Sequence, residues 1–589
     1  MEGKFYIIIS ALIYFYRIIL GYSPDIRLSQ LRMAGCWGIM NFLPFAKSMR
    51  LIDPSATDFD AIRSEFRWSI PEKLNVAYQV CERHQQRSQQ IAVYYENADG
   101  QRGNYSFADL KSYSDRFANA LHAIGVTRGD RVAIVLPQTI ETVIAHLAIH
   151  KLGAISLPLA ILFGPEALEY RLRDSGARAA IVHASRYNDV KTLQPELSDL
   201  QTVIGCRCGA SQDEFWKLLE RGSDQFEMVQ TQADEPACLI YTSGTTGPPK
   251  GALVAHRAVL GNFTGFEMSQ NFFPQAGDVF WTPADWAWTG GLWDALLPAL
   301  NYGMPIVAFE AGGFDAERVC RLMSDYAVTN AFIPPTALKM LRVLPDLKSN
   351  YDLKLRAIMS AGEQVGEELI YWGRDALGVT INEMWGQTEF NYIVGNCSAI
   401  MPPRPGSMGK PYPGHRVDVI DDDGNVMPDG EEGELAAWCD DPVMFLGYWN
   451  NEQATRDKIT ANWFRTGDVG YRDADGFLWF VGRKDDVISS AGYRIGPGEI
   501  EDSLLKHPAV LQAAVIGKPD ELRGQIVKAF VVLGPGHDAT PELAHQIQQS
   551  VRERLSAHEY PREVEFIDSL PMTTTGKVRR IDLRAREQQ

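Results

Sequence analysis

From about residue 60 onward, short apolar runs that end in small or polar residues alternate with stretches of helical periodicity. RVAIVLP (131–137) is followed by TIETVIAHLAIHKLG, and AAIVH (179–183), PACLIYTSG (236–244), MPIVAF (304–309) and AIMSAG (357–362) repeat the pattern. Strands that are apolar on both faces are what a parallel sheet covered by helices requires, so the alternation predicts an α/β fold. In such sheets ligands collect at the carboxyl ends of the strands. With 589 residues, 45% of them hydrophobic, the chain can bury more than one core.

A charged, glycine-rich stretch, GRKDDVISSAGYRIGPG (482–498), breaks the pattern. After it come a helix (EIEDSLLKH), two strands (AVLQAAVIG and VKAFVVL) and a helix (LAHQIQQSVRERL). This predicts a small mobile α+β domain over 482–589, hinged to a large domain over 60–481. Residues 1–48 form a separate extension. Its run FYIIISALIYFY (5–16) is shorter than the roughly 20 residues that span a bilayer. Three readings of it stay open: translation starting at Met40 or Met49, a membrane-associated segment, or a signal-peptide core without a clear cleavage site.

The 57 basic and 74 acidic side chains leave a net charge of −17, which argues against a nucleic-acid surface. The cysteines are irregularly spaced. Cys206 and Cys208 form CxC with no histidine set beside them, so free thiols in a reducing, cytoplasmic setting are expected rather than zinc.

The densest motif is YTSGTTGPPKG (241–251), directly after the apolar run ACLI. Glycines allow close backbone approach, and Thr242, Ser243, Thr245 and Thr246 offer hydroxyls around Gly244 and Gly247. Lys250 adds charge, so the stretch reads as a nest for phosphate oxygens. It is not a Walker loop, because the glycine–lysine spacing differs.

With this loop, SAGEQ (360–364), WGQTE (385–389), FRTGD (464–468), GRKDD and PMTTTGK (571–577), the sequence over about 60–585 resembles the adenylate-forming acyl-CoA synthetases. The resemblance implies a large N-terminal domain of stacked α/β sheets with a small barrel, and a mobile C-terminal domain. It implies two reactions. ATP and a carboxylate give an acyl-adenylate and pyrophosphate, and the thiol of coenzyme A then displaces AMP.

On that resemblance, Thr388 contacts phosphate and Glu389 holds Mg²⁺ through oxygen, the ligand type that ion prefers. Gly362, Glu363 and Gln364, with Glu383, Met384, Trp385, Gly386, Gln387 and Thr388, surround the adenine. Asp468 and Arg483 take the ribose, and Arg494 serves the phosphates. Lys577 approaches the reacting centre during the first step, and a lysine acetyltransferase acting on it would remove that charge. Rotation about Asp485 would replace Lys577 by the AGYR loop, with Ala491 and Gly492 lining the path of coenzyme A.

Thr282, Trp288, Ala361 and Gly386 map to the acyl pocket. Acetate-specific relatives carry a Trp at the position of Gly386, so the glycine implies room for a medium-chain fatty or aryl acid. A short-chain (acetate or propionate) ligase is the alternative, and a non-catalytic nucleotide-binding protein is the alternative of another class.

Overall fold

A computed structural model describes residues 50–209, 214–242, 248–310, 312–490, 493–520, 523–555, 560–573 and 577–587; the side chains of residues 489, 493, 494 and 499 fall outside it. The three readings of residues 1–48 therefore lie outside the described residues. No helix among the described residues is long and apolar enough to cross a membrane.

The predicted strands form where the apolar runs stand. Arg131–Val135 pairs in parallel with Ile155–Pro158 and with Ala179–His183, which pairs on to Thr202–Cys206. Pro236–Thr242 joins on the other side, paired in parallel through Ser156 and Cys238. Lys250–Ala255 then turns back against Pro236–Thr242, so the phosphate loop spans a hairpin at a strand's carboxyl end. The helix Ile140–Lys151 is buried along its whole length, its polar residues Glu141, Thr142, His146, His150 and Lys151 included.

A second sheet carries Phe280–Trp281, Ile306–Glu310, Asn330–Phe332, Ala357–Ser360 and Ile381–Gln387 in parallel. Ile358 stands opposite Ile381, which sets SAGEQ and WGQTE side by side at one edge. From Asn391–Gly395 onward the same sheet continues antiparallel, through Ser407–Pro411, Leu478–Arg483, Trp463–Arg472, Gly433–Trp438 and Val417–Ile420. This run occupies the place of the expected small barrel, but its ladder does not close on itself among the described residues.

The third sheet is built from the C-terminal part: Ile488–Ser490, Tyr493–Ile495, Val510–Asp520, Gly524–Leu533 and Glu563–Phe566. The helices Pro497–Leu505 and Pro541–Arg554 bury Ile500, Leu504, Ile547 and Val551 against Val515, Ala529 and Val531. This is the predicted small α+β unit with its own apolar core.

Candidate active site

Asp468 is the centre of the site. It stands directly opposite Arg483 across the antiparallel strands Trp463–Arg472 and Leu478–Arg483. That register makes the ion pair, with Arg483 Nη1 donating to Oδ1 at 2.8 Å. The other oxygen, Oδ2, accepts from Trp385 Nε1 and Gln387 Nε2, each at 3.0 Å. Asp468 is thus fixed by three donors, two of them from WGQTE. The strand just before it is held by Glu434, which accepts from the Gly467 N–H at 2.9 Å and from Arg465.

Glu389 is buried one turn past Gln387. Its Oε1 accepts the Tyr448 hydroxyl at 2.5 Å. Lys250 Nζ lies 5.3 Å from the centre of the same tyrosine ring. Tyr448 therefore ties the lysine of the phosphate loop to the carboxylate of WGQTE. Burial first, and then Glu389's charge, raise the tyrosine's pKa, so its proton stays in this bond. Thr242 donates to the Lys250 carbonyl at 3.3 Å. Thr388 is partly exposed in the turn between Gln387 and Glu389. Ser243, Gly244, Thr245, Thr246 and Gly247 lie outside the described residues.

The segment expected to surround the adenine lies beyond Ala357–Ser360. Gly362 has a positive φ of +96°, which favours glycine. Glu363 accepts the Thr336 hydroxyl at 2.9 Å. Glu383 is buried, accepts the Val365 N–H at 3.2 Å, and leaves Oε2 without a hydrogen-bond partner among the described residues. Burial pushes its carboxyl from the ordinary 4.5 up to about 8, and Asp502 adds to the rise. Met384 and Trp385 are also buried.

The small domain reaches this segment at three points. A methyl group built on Gly362 would stand 3.9 Å from Lys577 Cε, one on Gly366 3.4 Å from Asp502 Oδ1, and one on Gly498 2.6 Å from Gln364 Oε1. The Lys577 N–H donates to Thr573 Oγ1 at 3.0 Å and its carbonyl accepts the Thr573 N–H at 2.7 Å. The side chain keeps contact with solvent, yet protein surrounds it closely. Lost hydration lowers its pKa, while Asp468, Glu363 and Glu389 pull it up and Arg483 pushes it down. One ammonium thus faces all three carboxylates of the site.

The AMP-binding enzyme model matches residues 80–449, and the model of the AMP-binding enzyme C-terminal domain matches 499–577. The chain belongs to the AMP-binding enzyme family. It is 33% identical over 554 residues to the mitochondrial acyl-coenzyme A synthetase ACSM3 of Rattus norvegicus, covering 91% of this chain and 94% of that one. It is 34% identical over 524 residues to the acetyl-coenzyme A synthetase of Bacillus subtilis, covering 87% and 91%. Among solved structures, the anthranilate CoA ligase AuaEII in complex with anthranoyl-AMP superposes with a TM-score of 0.81 at 30% identity, covering 88% of this chain and 98% of that one. This AMP-binding enzyme is a ligase of the acyl-CoA synthetase type.

In this AMP-binding enzyme the expected acyl-pocket residues do not behave alike. Thr282 is fully buried, with its hydroxyl accepting the Ala284 N–H at 3.0 Å, so it shapes the turn from inside. Trp288 packs edge-on against Phe163 at 5.7 Å, and Ala361 is partly exposed beside Gly362. Gly386 has a different reason from the one expected. A Cβ there would stand 1.7 Å from the Asn391 carbonyl oxygen and 2.4 Å from Tyr392 Cα. The strand Ile381–Gln387 shifts register between Trp385 and Gly386, and the returning backbone occupies the space of a side chain. The glycine therefore answers to a close backbone approach, and acid size does not follow from it.

Asp485 lies exposed in the turn between Arg483 and Val487, where Asp486 and Val487 both donate their N–H to the Arg483 carbonyl. Its neighbour Asp486 pairs with Arg584 and lies 3.6 Å from Arg580 of the C-terminal helix. Ala491 and Gly492 lie outside the described residues, as does the side chain of Arg494. Residues the motifs did not single out are Tyr448, Thr336, Glu434 and Lys458. Tyr448 stands in the apolar run MFLGYW, where an aromatic reads as core, and only its pairing opposite Ala252, two residues from Lys250, reveals it.

Proposed function

We propose that this enzyme joins a medium-chain fatty or aryl acid to coenzyme A through an acyl-adenylate, with release of pyrophosphate and then AMP. The observation that carries the reading is Lys577, brought by the small domain beside Gly362, where Asp468, Glu363 and Glu389 together act on its charge.

In the first step a carboxylate oxygen of the acid attacks the α-phosphorus of ATP and pyrophosphate leaves. Two anions meet, so charge neutralisation and alignment are the main tasks. Asp468 accepts the ribose hydroxyls, held in place by Trp385, Gln387 and Arg483. The loop 242–247 and Lys250 take the distal phosphates. Lys577 lies against the α-phosphate and the attacking carboxylate; a compact ammonium on a flexible stem suits a charge that must arrive and then leave. In the second step the thiolate of coenzyme A attacks the acyl carbonyl and AMP departs. Rotation about Asp485 would withdraw Lys577 and bring residues 491–494 to the site.

Magnesium fits the donors present. Glu389 offers a hard carboxylate oxygen, and no group of three or more His, Cys, Asp or Glu that could hold a metal occurs among the described residues. That suits an ion held by one carboxylate, water and substrate phosphates. When bound it would neutralise developing charge on the phosphates. A lysine acetyltransferase would find Lys577 with its side chain still in contact with solvent. A reducing, cytoplasmic setting belongs to the same reading and is supported by thiols such as Cys81, Cys238, Cys320 and Cys439, which form no disulfide among the described residues.

The aryl preference is supported by likeness to the anthranilate ligase, and the short-chain alternative by likeness to the acetyl-coenzyme A synthetase. Pyrophosphate release over a panel of acids, with and without coenzyme A, separates them. Octanoate or benzoate is expected to lead. Acetate as the best substrate would move the reading to the short-chain class, and no release with any acid would remove it.

A further inference from the structure

Lys458 belongs to no motif. It lies in the turn between the helix Glu452–Arg456 and the strand Ile459–Thr460. Its N–H donates to the Thr455 carbonyl at 3.2 Å and its carbonyl accepts the Arg465 N–H at 2.7 Å, so the backbone is anchored beside FRTGD. The half-buried side chain passes the Phe464 ring, with Nζ 5.9 Å from its centre, and ends beside Gly467. A methyl group on Gly467 would stand 3.7 Å from Lys458 Nζ and 3.3 Å from Arg483 Nη2. Two cations therefore converge on one spot beside the residue that would hold the ribose.

Their partners differ. Arg483 is paired with Asp468 at 2.8 Å. Lys458 makes no ion pair among the described residues, and the nearby carboxylates are engaged elsewhere. Asp468 holds three donors, Glu389 the Tyr448 hydroxyl, and Glu434 the side chains of Arg465 and Lys484 with the Gly467 N–H. Burial lowers the Lys458 pKa, and Glu389 is the anion that offsets this most. A partly dehydrated cation beside a second cation is costly unless an anion joins it.

We propose that Lys458 binds the nucleotide's phosphate, as a cation of the large domain that holds the α-phosphate from ATP through to AMP. This rests on the adenylate-forming reading above. Lys577 leaves with the small domain; Lys458, on the other side of the hinge, stays. It therefore serves both steps: it neutralises the α-phosphate as the acid attacks, and holds AMP as a leaving group when the thiol attacks. Coenzyme A also carries phosphates, so the test must separate the two sources.

Lys458→Met keeps the length of the stem and removes the charge. Losing one hydrogen bond to a charged group is expected to weaken binding of AMP and of a non-hydrolysable ATP analogue roughly tenfold by calorimetry. Lys458→Arg should restore most of it, and the KM for coenzyme A should not move. Thioester formation from supplied acyl-adenylate should slow in Lys458→Met, a step that loss of Lys577 spares. In the wild type, AMP should shield Lys458 from chemical acetylation in peptide mapping, a readout independent of any variant's folding. Unchanged AMP and analogue affinities, no shielding by AMP, or a rise confined to the KM for coenzyme A would each overturn the proposal. Nucleotide binding needs no acid, so a chain that turns over no acid yet loses AMP affinity in Lys458→Met contradicts only the ligase reading.

Discussion

Lys577 of the small domain lies against Gly362 of the large one, with its Cε 3.9 Å from where a glycine methyl would be. The two residues are 215 positions apart in the sequence. The contact defines an arrangement in which the ammonium faces the nucleotide segment. Lys577→Ala should abolish acid-dependent pyrophosphate release while leaving thioester formation from supplied acyl-adenylate within about twofold, as expected for charge stabilisation used in one step only. Equal loss of both half-reactions would contradict the assignment.

Trp385 donates its indole N–H to Asp468 Oδ2 at 3.0 Å while its ring packs against Phe390. Trp385→Phe keeps a large ring and deletes the donor. The KM for ATP should rise roughly tenfold, the effect of one hydrogen bond to a charged acceptor, with the KM for the acid unchanged. Steady-state kinetics with each substrate varied in turn decides this; an effect on the acid alone would mean that the ring lines the acyl pocket.

Glu383 carries a pH dependence. Its carboxyl is raised by burial from 4.5 to about 8, so the folded protein keeps a proton that the unfolded chain releases. The stabilisation is fully present below about 4.5 and is lost as pH rises toward and through about 8. Glu383→Gln mimics the protonated form. The fall in Tm from pH 5 to 8 should be shallower in this variant than in the wild type. Parallel Tm curves would show that Glu383 does not titrate in that window.

Gly386→Ala places a methyl group where the Asn391 carbonyl oxygen stands. Overpacking against backbone should cost about 1–3 kcal/mol in denaturant unfolding. Activity should fall with every acid alike. A stable variant that selectively loses the longer acids would reinstate Gly386 as a pocket wall.

Much of the fold was readable because buried parallel strands leave an unbroken apolar signature. AAIVH became the strand Ala179–His183, and LAHQIQQSVRERL became the helix Pro541–Arg554, which starts two residues earlier and ends one residue before Leu555. Asp468 and Arg483 were legible as separate motif residues, yet their pairing depends on antiparallel register, which periodicity alone leaves open. Tyr448 and Glu434 were hidden because each functions through contacts made across the sheet. Gly386 shows the opposite limit. Its identity was plain, but its cause was a backbone approach from Asn391, five positions on, that no spacing rule expresses.

The central claim is an acyl-adenylate formed first and consumed by a thiol second. A single-turnover experiment with ATP labelled in the α-phosphate tests it most directly. Enzyme, magnesium, ATP and octanoate or benzoate, quenched without coenzyme A, should yield labelled acyl-adenylate. Adding coenzyme A should convert that label to AMP as acyl-CoA appears in equal amount. Label appearing only as ADP, or acyl-CoA forming with no adenylate on the way, would contradict the account.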